Sequence, residues 1–167
     1  MKKVGLFYGT TSGSTKKVAE MIKKELGEKS VDLHDIKNMK PAEVLKYDNL
    51  IFGTSAWGIG DMQDDWEYFI DDLVELDLSE KKIALFGLGD QKDYPGSFVD
   101  GMGTLFCRLP VKDRIVGYTA TKGYSYYFSA AERDGKFVGL AIDQDSQADK
   151  TPERVKTWAS QLKKEFV

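Results

Sequence analysis

Short apolar runs alternate along the chain with stripes of apolar residues at helical spacing. Five such runs cover residues 3–8, 31–36, 49–54, 82–88 and 114–118. Each of the five predicts a strand; residues 3–8 read as a short buried strand, and residues 82–88 are nearly continuous in apolar character, as in a strand buried on both faces of a sheet.

Apolar residues spaced three and four apart predict helices between these strands. The first begins near residue 15 and stops at Gly27, the second carries Trp66, and a third ends before Pro110. In the last helix, Thr151 is the predicted N-cap and Pro152 the first helical residue. Because parallel neighbours need helical crossovers, the pattern predicts an α/β fold with a doubly wound, five-stranded parallel sheet.

One segment breaks this alternation. Residues 119–136 are aromatic and polar without a helical period, and residues 137–142 then resume a strand pattern. We interpret the segment as an insertion that interrupts the fifth strand.

Length and composition narrow the protein class. The chain has 167 residues, 41% hydrophobic and 31% charged, so we expect residues 1–167 to form a single domain. No apolar run reaches the roughly 18 residues of a membrane span, and no signal peptide is evident, so we expect a cytoplasmic protein that does not bind membranes. Cys107 and His34 are the only Cys and His, which excludes an internal disulfide, a Cys/His zinc site and a multi-cysteine iron–sulfur site.

Charge is distributed unevenly along the chain. Ten of the 27 Asp and Glu residues fall between residues 47 and 80, where there is no Lys or Arg. The other seventeen acids share the rest of the chain with all 24 Lys and Arg residues. Such a field repels nucleic acid and can steer a basic protein towards the acidic side. The alternative interpretation is an ordinary solvated helix face.

The loop after the first predicted strand is rich in hydroxyl groups. It reads Gly9-Thr10-Thr11-Ser12-Gly13-Ser14-Thr15 and leads into a helix. A helix start at the carboxyl end of a strand offers N–H groups and a favourable dipole to an anion, so we expect a terminal monophosphate here. The loop lacks the Lys of a nucleotide triphosphatase loop and the dinucleotide fingerprint Gly-x-Gly-x-x-Gly. A plain hydroxyl-rich surface turn is the alternative.

Two further loops leave the same sheet edge and each carries an aromatic residue. Trp57 follows the third strand and Tyr94 follows the fourth, both among glycines and acids and outside any helical stripe. Two aromatics so placed can sandwich a planar heterocycle, a contact worth about 0.5–1.5 kcal/mol each beyond the buried area. The alternative is that each ring packs on its own loop.

Together these segments resemble a flavodoxin of the long-chain type over essentially the whole chain. The motifs that carry the resemblance are residues 10–15, Trp57-Gly58-Ile59-Gly60, residues 87–91 with Tyr94, and residues 135–140. The resemblance implies a parallel sheet in the order 2-1-3-4-5 with a split fifth strand. It also implies non-covalent FMN and low-potential, one-electron transfer between redox proteins in place of ferredoxin.

The resemblance also implies a set of cofactor-binding residues. The hydroxyl loop would hold the FMN phosphate, Trp57 and Tyr94 would cover the two faces of the flavin ring, and Asp90 would approach its edge. The full set is Thr10, Thr11, Ser12, Gly13, Ser14, Thr15, Ser55, Ala56, Trp57, Gly58, Ile59, Gly60, Leu88, Gly89, Asp90, Tyr94, Ser97 and Asp145. Gly58 is a departure, since many long-chain relatives have Asn there.

Two electrochemical predictions follow from this resemblance. In the family the peptide after the first aromatic turns over on reduction, and Gly58 suits that motion because glycine reaches positive φ without penalty, which favours an accessible semiquinone. Acids around the two ring loops oppose the second electron. One carboxylate about 10 Å away in a dielectric near 80 contributes roughly 0.4 kcal/mol, or about 20 mV.

Partners and rival functions are also constrained. We expect a monomer that exchanges electrons with basic redox proteins, such as a flavodoxin or ferredoxin reductase, and with low-potential acceptors. The main alternative is an FMN-dependent NAD(P)H:quinone reductase of the same fold. A signalling receiver is disfavoured, because it needs adjacent acids after the first strand and an Asp after the third.

Overall fold

The computed structural model describes residues 1–57 and 60–167, and of Trp57 it describes only the backbone. The main-sheet strands are β1 (Val4–Tyr8), β2 (Val31–Asp35), β3 (Asn49–Trp57), β4 (Asp61–Met62), β5 (Lys82–Leu88), β6 (Ile115–Val116) and β10 (Leu140–Ile142), and β7 (Thr119–Ala120), β8 (Glu132–Arg133) and β9 (Lys136–Phe137) form a second sheet. The α-helices are α1 (Ser14–Leu26), α2 (Asp64–Leu73), α3 (Asp100–Arg108) and α4 (Thr151–Glu165), with short 3-10 turns at Pro41–Lys46, Lys112–Arg114 and Ala148–Lys150.

The central sheet is parallel and runs in the order β10-β5-β3-β1-β2. Val4 of β1 pairs with Val31 on one side and Asn49 on the other, and β3 pairs with β5 over seven residues. The predicted 2-1-3-4-5 order of a doubly wound sheet is therefore confirmed. The added β4 pairs antiparallel with the end of β3, which runs three residues further than predicted.

The fifth strand is split, as predicted. β6 pairs with the start of β5 and β10 pairs with its end, both in parallel, and β7, β9 and β8 form a small antiparallel sheet in the intervening segment. The prediction that the strand resumes at residue 137 was wrong by three residues, because β9 belongs to the small sheet. Gly139 marks the return, where a Cβ would overlap the carbonyl oxygen of Leu85.

Two apolar cores cover the two faces of the sheet. Alternate residues of β1 divide between them: Leu6 joins Ile22 of α1 and Trp158 of α4, whereas Phe7 joins the core under α2 and α3. Trp66 lies in that second core, fully buried, and its indole N–H donates to the carbonyl of Gly53. The helices thus hold the sheet from both sides and leave its carboxyl edge to the loops.

The start of α4 differs from the prediction. Thr151 is the first helical residue rather than the N-cap, and its hydroxyl donates to Gln144 at 2.6 Å. The competing partner explains the error, since this hydroxyl ties the helix to the loop after β10. Within the described residues no helix is long and apolar enough to span a membrane, and no group of three or more acids, His or Cys is placed to hold a metal ion.

Candidate functional site: a cavity at the carboxyl edge of the sheet

A cavity of about 350 Å³ lies at the carboxyl edge of the parallel strands. It is bounded by the loops that follow β1, β5 and β10 and by the end of β3. The lining residues are Thr11, Ser12, Ser14, Thr15, Ser55, Ala56, Leu88, Gly89, Asp90, Tyr94, Ser97, Gln144 and Asp145. Ligands of open α/β sheets bind at this edge, where the strand order reverses, which here is between β1 and β3.

One end of the cavity is the hydroxyl loop at the start of α1. Gly13 adopts φ 92°, a left-handed conformation that suits glycine, and its N–H donates to Thr10 Oγ1 at 2.9 Å. No described side chain caps α1, and its first turn carries no acid. The first-turn N–H groups therefore remain available, together with neighbouring hydroxyls, to an anion.

Gln63, the residue before α2, holds this loop in place. Its side chain is 1% exposed, and its Nε2 donates to Thr11 Oγ1 at 3.3 Å and to Asp65 Oδ2 at 2.8 Å. Its Oε1 accepts from the Asp65 N–H, which caps α2. One amide thus joins the hydroxyl loop to the start of α2 and fixes the position of both.

Asp143, the first residue after β10, organises the cavity wall opposite the hydroxyl loop. Its side chain is fully buried, and Oδ2 accepts from the Gln91 N–H at 3.1 Å, from Gln91 Nε2 at 2.7 Å and from the Ser146 hydroxyl. Oδ1 accepts from the N–H groups of Asp145 and Ser146. Burial alone would raise the pKa of Asp143, but the hydrogen bonds from Ser146 and Gln91 outweigh it and hold the pKa below the ordinary 3.8.

The loop after β5 is a tight turn closed by Asp90. The Asp90 carboxylate accepts from the N–H groups of Lys92 and Asp93, and its backbone carbonyl accepts from the Tyr94 N–H. Tyr94 lines the cavity with its side chain 56% exposed. Tyr94 therefore borders the cavity and is also accessible to solvent.

The rim of this wall is acidic. Partial desolvation raises the pKa of Asp145, and the negative charges of Asp90, Asp143 and Asp93 raise it further. Asp90, Asp93 and Asp143 together with Asp145 give this rim a negative field. Any further negative charge placed in the cavity meets the same field.

Gly60, at the end of the loop between β3 and β4, packs against Asp100. Gly60 has φ 87°, and a Cβ there would lie 2.7 Å from the Cβ of Asp100. The Asp100 Oδ1 accepts from the Ala130 N–H at 2.6 Å, and burial raises the pKa of this carboxyl above its ordinary value. Asp100 therefore connects this loop with the insertion.

Most of the residues predicted for the site come together in the cavity. Among the described ones, Thr10, Gly13 and Gly60 do not line it: the first two shape the hydroxyl loop, and Gly60 lies against Asp100. The predicted peptide motion at Gly58 and the predicted ring contact of Trp57 fall on Gly58, Ile59 and the side chain of Trp57, which lie outside the described residues.

Three residues of the site were not predicted: Gln144 in the lining, and Gln63 and Asp143 behind it. Gln144 and Asp143 directly follow a strand, which is the signal that led to the other loops. Gln63 offered no such signal, because its role depends on a contact with a loop 52 residues away in sequence.

Comparisons with known proteins agree with this geometry. The flavodoxin family model matches residues 6–158. A flavodoxin of Synechococcus elongatus is 47% identical, with 99% of each chain covered, and one of Nostoc sp. is 45% identical over 99% of this chain and 98% of its own. The crystal structure of Fusobacterium nucleatum flavodoxin bound to flavin mononucleotide superposes with a TM-score of 0.93 at 32% identity, covering both chains fully. The match over nearly its whole length shows that the chain belongs to the flavodoxin family.

Proposed function

We propose that the chain is a low-potential, one-electron carrier that holds non-covalent FMN in the cavity at the carboxyl edge of the sheet. The observation that carries this proposal is the open start of α1, lined by hydroxyls, at one end of a cavity whose other wall carries Tyr94 and a row of acids. Family membership supports electron transfer between redox proteins as the role, rather than conversion of a small substrate.

The donor set fits a phosphate monoester. Open N–H groups at the start of α1 and the hydroxyls of Thr11, Ser12, Ser14 and Thr15 are all neutral donors, and none of the residues lining this end carries a charge. We assign the phosphate to residues 10–15 on that basis. Neutral donors and the helix dipole suffice for a dianion that stays partly solvated, because Ser12 is exposed.

The ring end is assigned to the loops after β3, β5 and β10. Ser55, Ala56, Leu88 and Gly89 form the floor at the strand ends, and Tyr94, Ser97 and Asp145 form the wall. We place Trp57, Gly58, Ile59 and Gly60 on the other side of the ring and Asp90 at its edge, an assignment that rests on the sequence motif.

FMN, when bound, supplies a ring that takes up and releases electrons one at a time. The chain controls how readily it does so. Asp90 and Asp145 oppose added negative charge in the cavity, which keeps the midpoint potentials low. Leu88 and Ala56 present apolar surface that does not solvate such a charge.

Basic redox proteins fit the outer surface next to this site. Asp64, Glu67, Asp71 and Asp72 are exposed on α2, close in sequence to the loop that carries Trp57. Only Asp71 has a basic partner among the described residues, Arg108 at 2.6 Å. We therefore propose a monomeric, cytoplasmic, single-domain shuttle that docks a basic reductase through complementary charge.

An electron-relay assay tests the proposed function. The FMN-loaded chain is added to NADPH, a basic ferredoxin–NADP⁺ reductase and cytochrome c at low salt. We expect cytochrome c reduction that requires both the chain and the reductase and that slows as salt is raised. Oxidation of NADPH by the chain and a quinone without the reductase would instead establish the quinone reductase alternative.

A further inference from the structure

A second cavity, of about 300 Å³, lies between the insertion and α4, and none of the residues that line it also line the first cavity. Tyr118, Lys122 and Tyr124 come from the insertion side, and Arg154 and Trp158 come from α4. Its size falls near the lower end for small-molecule sites, which begin at about 300 Å³.

Arg154 is held rigidly in the wall of this cavity. Its guanidinium carbon lies 3.9 Å from the centre of the Tyr124 ring, and its Nη2 donates to Gln147 Oε1 at 2.7 Å and to the Gly123 carbonyl at 3.2 Å. Tyr124 is itself fixed, since its hydroxyl donates to the Ala141 carbonyl at 2.6 Å. The guanidinium is therefore pre-organised, with little conformational freedom left to lose on binding.

One nitrogen of this guanidinium has no partner. Nη1 of Arg154 is buried and makes no hydrogen bond within the described residues, where it is the single buried side-chain atom in that condition. Arg154 also forms no ion pair with any described carboxylate, and neither does Lys122. A buried cationic donor without an acceptor is unfavourable, and no described carboxylate neutralises the guanidinium, so Arg154 favours an anion placed beside it in the cavity.

The rest of the cavity favours a planar apolar body. Tyr118 and Tyr124 line it and are partly buried. Trp158 also lines it but is only 1% exposed, and its indole N–H already donates to the Gly117 carbonyl, so it adds no free polar group. Glu153 lines the cavity as well, and its negative charge disfavours a second negative charge on the ligand. A single negative charge on an aromatic ring matches both features.

We propose that this cavity is a second ligand site, which binds small aromatic monocarboxylates through Arg154. The carboxylate lies beside the guanidinium of Arg154, with Lys122 adding positive charge, and the ring of the ligand packs against Tyr118. The site is independent of the FMN cavity, so its occupation does not require the proposed electron-carrier function.

Titration of the FMN-loaded protein with benzoate tests this proposal. In ¹⁵N-correlated NMR spectra we expect saturable shifts of the Arg154 side-chain signal and of the Gly123 and Lys122 amides. The neutral isostere benzamide should bind at least about tenfold more weakly, because it lacks the charge that Arg154 pairs with. Equal binding of benzamide, or shifts confined to the FMN cavity, would overturn the proposal.

One anion control and three variants complete the test. Inorganic sulfate at matched ionic strength should fail to saturate these signals, and saturation by sulfate as tight as by benzoate would refute the aromatic specificity. Arg154→Gln should weaken benzoate binding about tenfold or more, whereas Lys156→Gln, an exposed charge two residues along α4, should leave it unchanged. If Arg154→Gln does not fold, Lys122→Gln is the second variant, and we expect it to bind benzoate more weakly. Unchanged benzoate affinity in Lys122→Gln, together with benzamide binding as tight as benzoate binding, would count against the site.

Discussion

Replacing Asp143 by Asn is the sharpest perturbation of the wall opposite the hydroxyl loop. The two side chains have the same shape, but Asn offers one acceptor oxygen where Asp offers two. In the protein both oxygens are used: Oδ1 accepts two backbone N–H groups, and Oδ2 accepts three donors from Gln91 and Ser146. An amide NH₂ in either position meets donors instead of acceptors.

The magnitude follows from the less harmful orientation of the amide. With its NH₂ in the Oδ1 position, Asp143→Asn leaves the N–H groups of Asp145 and Ser146 without acceptors. Asp145 and Ser146 are exposed, so their N–H groups can turn to water, but each loses a hydrogen bond to a charged group. Such a bond is worth about 1.5–3 kcal/mol, so we expect the free energy of unfolding to fall by roughly 3 kcal/mol. For a chain of this size that corresponds to a melting temperature lower by about 10 °C.

Urea denaturation followed by circular dichroism measures this change, with the chain free of FMN so that cofactor binding does not contribute. Asp149→Asn is the matched control, since Asp149 is exposed nearby in the turn before α4. The control should change the free energy of unfolding by less than about 0.5 kcal/mol. A loss below about 1 kcal/mol in Asp143→Asn, or an equal loss in the control, would refute the reasoning.

The pH dependence gives an independent check on Asp143. Because its folded pKa lies below the unfolded 3.8, the ionised carboxylate contributes stability that is present above that pH and is lost as the pH falls through the folded pKa. Asp143→Asn cannot titrate at this position. Its stability should therefore fall less steeply with acid than that of the unchanged protein.

Three further changes test other parts of the structure. Ser12→Asp should weaken FMN binding at least about tenfold by repelling the phosphate, while riboflavin binding, measured by flavin fluorescence, stays the same. His34→Gln should flatten the loss of stability on going from about pH 7.5 to 5.0, because burial lowers the pKa of His34 from 6.5 and its neutral form is lost as acid titrates it. Gly139→Ala should destabilise by about 1–3 kcal/mol in urea titrations through its overlap with Leu85, whereas Gly96→Ala, with open space around it, should not.

The sheet and the position of the site could be predicted because they depend on local patterns. Residues 83–88 form an unbroken apolar run after Lys82, which favours burial on both faces, and the observed strand Lys82–Leu88 has the predicted bounds. Once the strands are parallel, their carboxyl ends must meet at one edge. The hydroxyl loop, Ser55 and Tyr94 therefore had to come together, as they do in the cavity.

What could not be predicted depends on tertiary partners. Thr151 has the side chain of an N-cap, but Gln144 competes for its hydroxyl and the helix starts one residue earlier than a Thr151 cap would give. Asp143 directly follows a strand, but its bonds to Gln91 join it to a segment 52 residues away, and Gln63 reaches Thr11 across the same sequence distance, so neither role could be predicted. The return of the fifth strand at residue 140 rather than 137 likewise follows from the pairing of β9 with β7 and β8.

The central claim is that neutral donors at the start of α1 hold the phosphate of FMN. Fluorescence titration of the FMN-free chain with FMN and, separately, with riboflavin tests it most directly, since the two ligands differ only in the phosphate. We expect quenching by FMN at one equivalent per chain and markedly weaker binding of riboflavin. Equal affinity for the two, or no quenching by FMN, would contradict it.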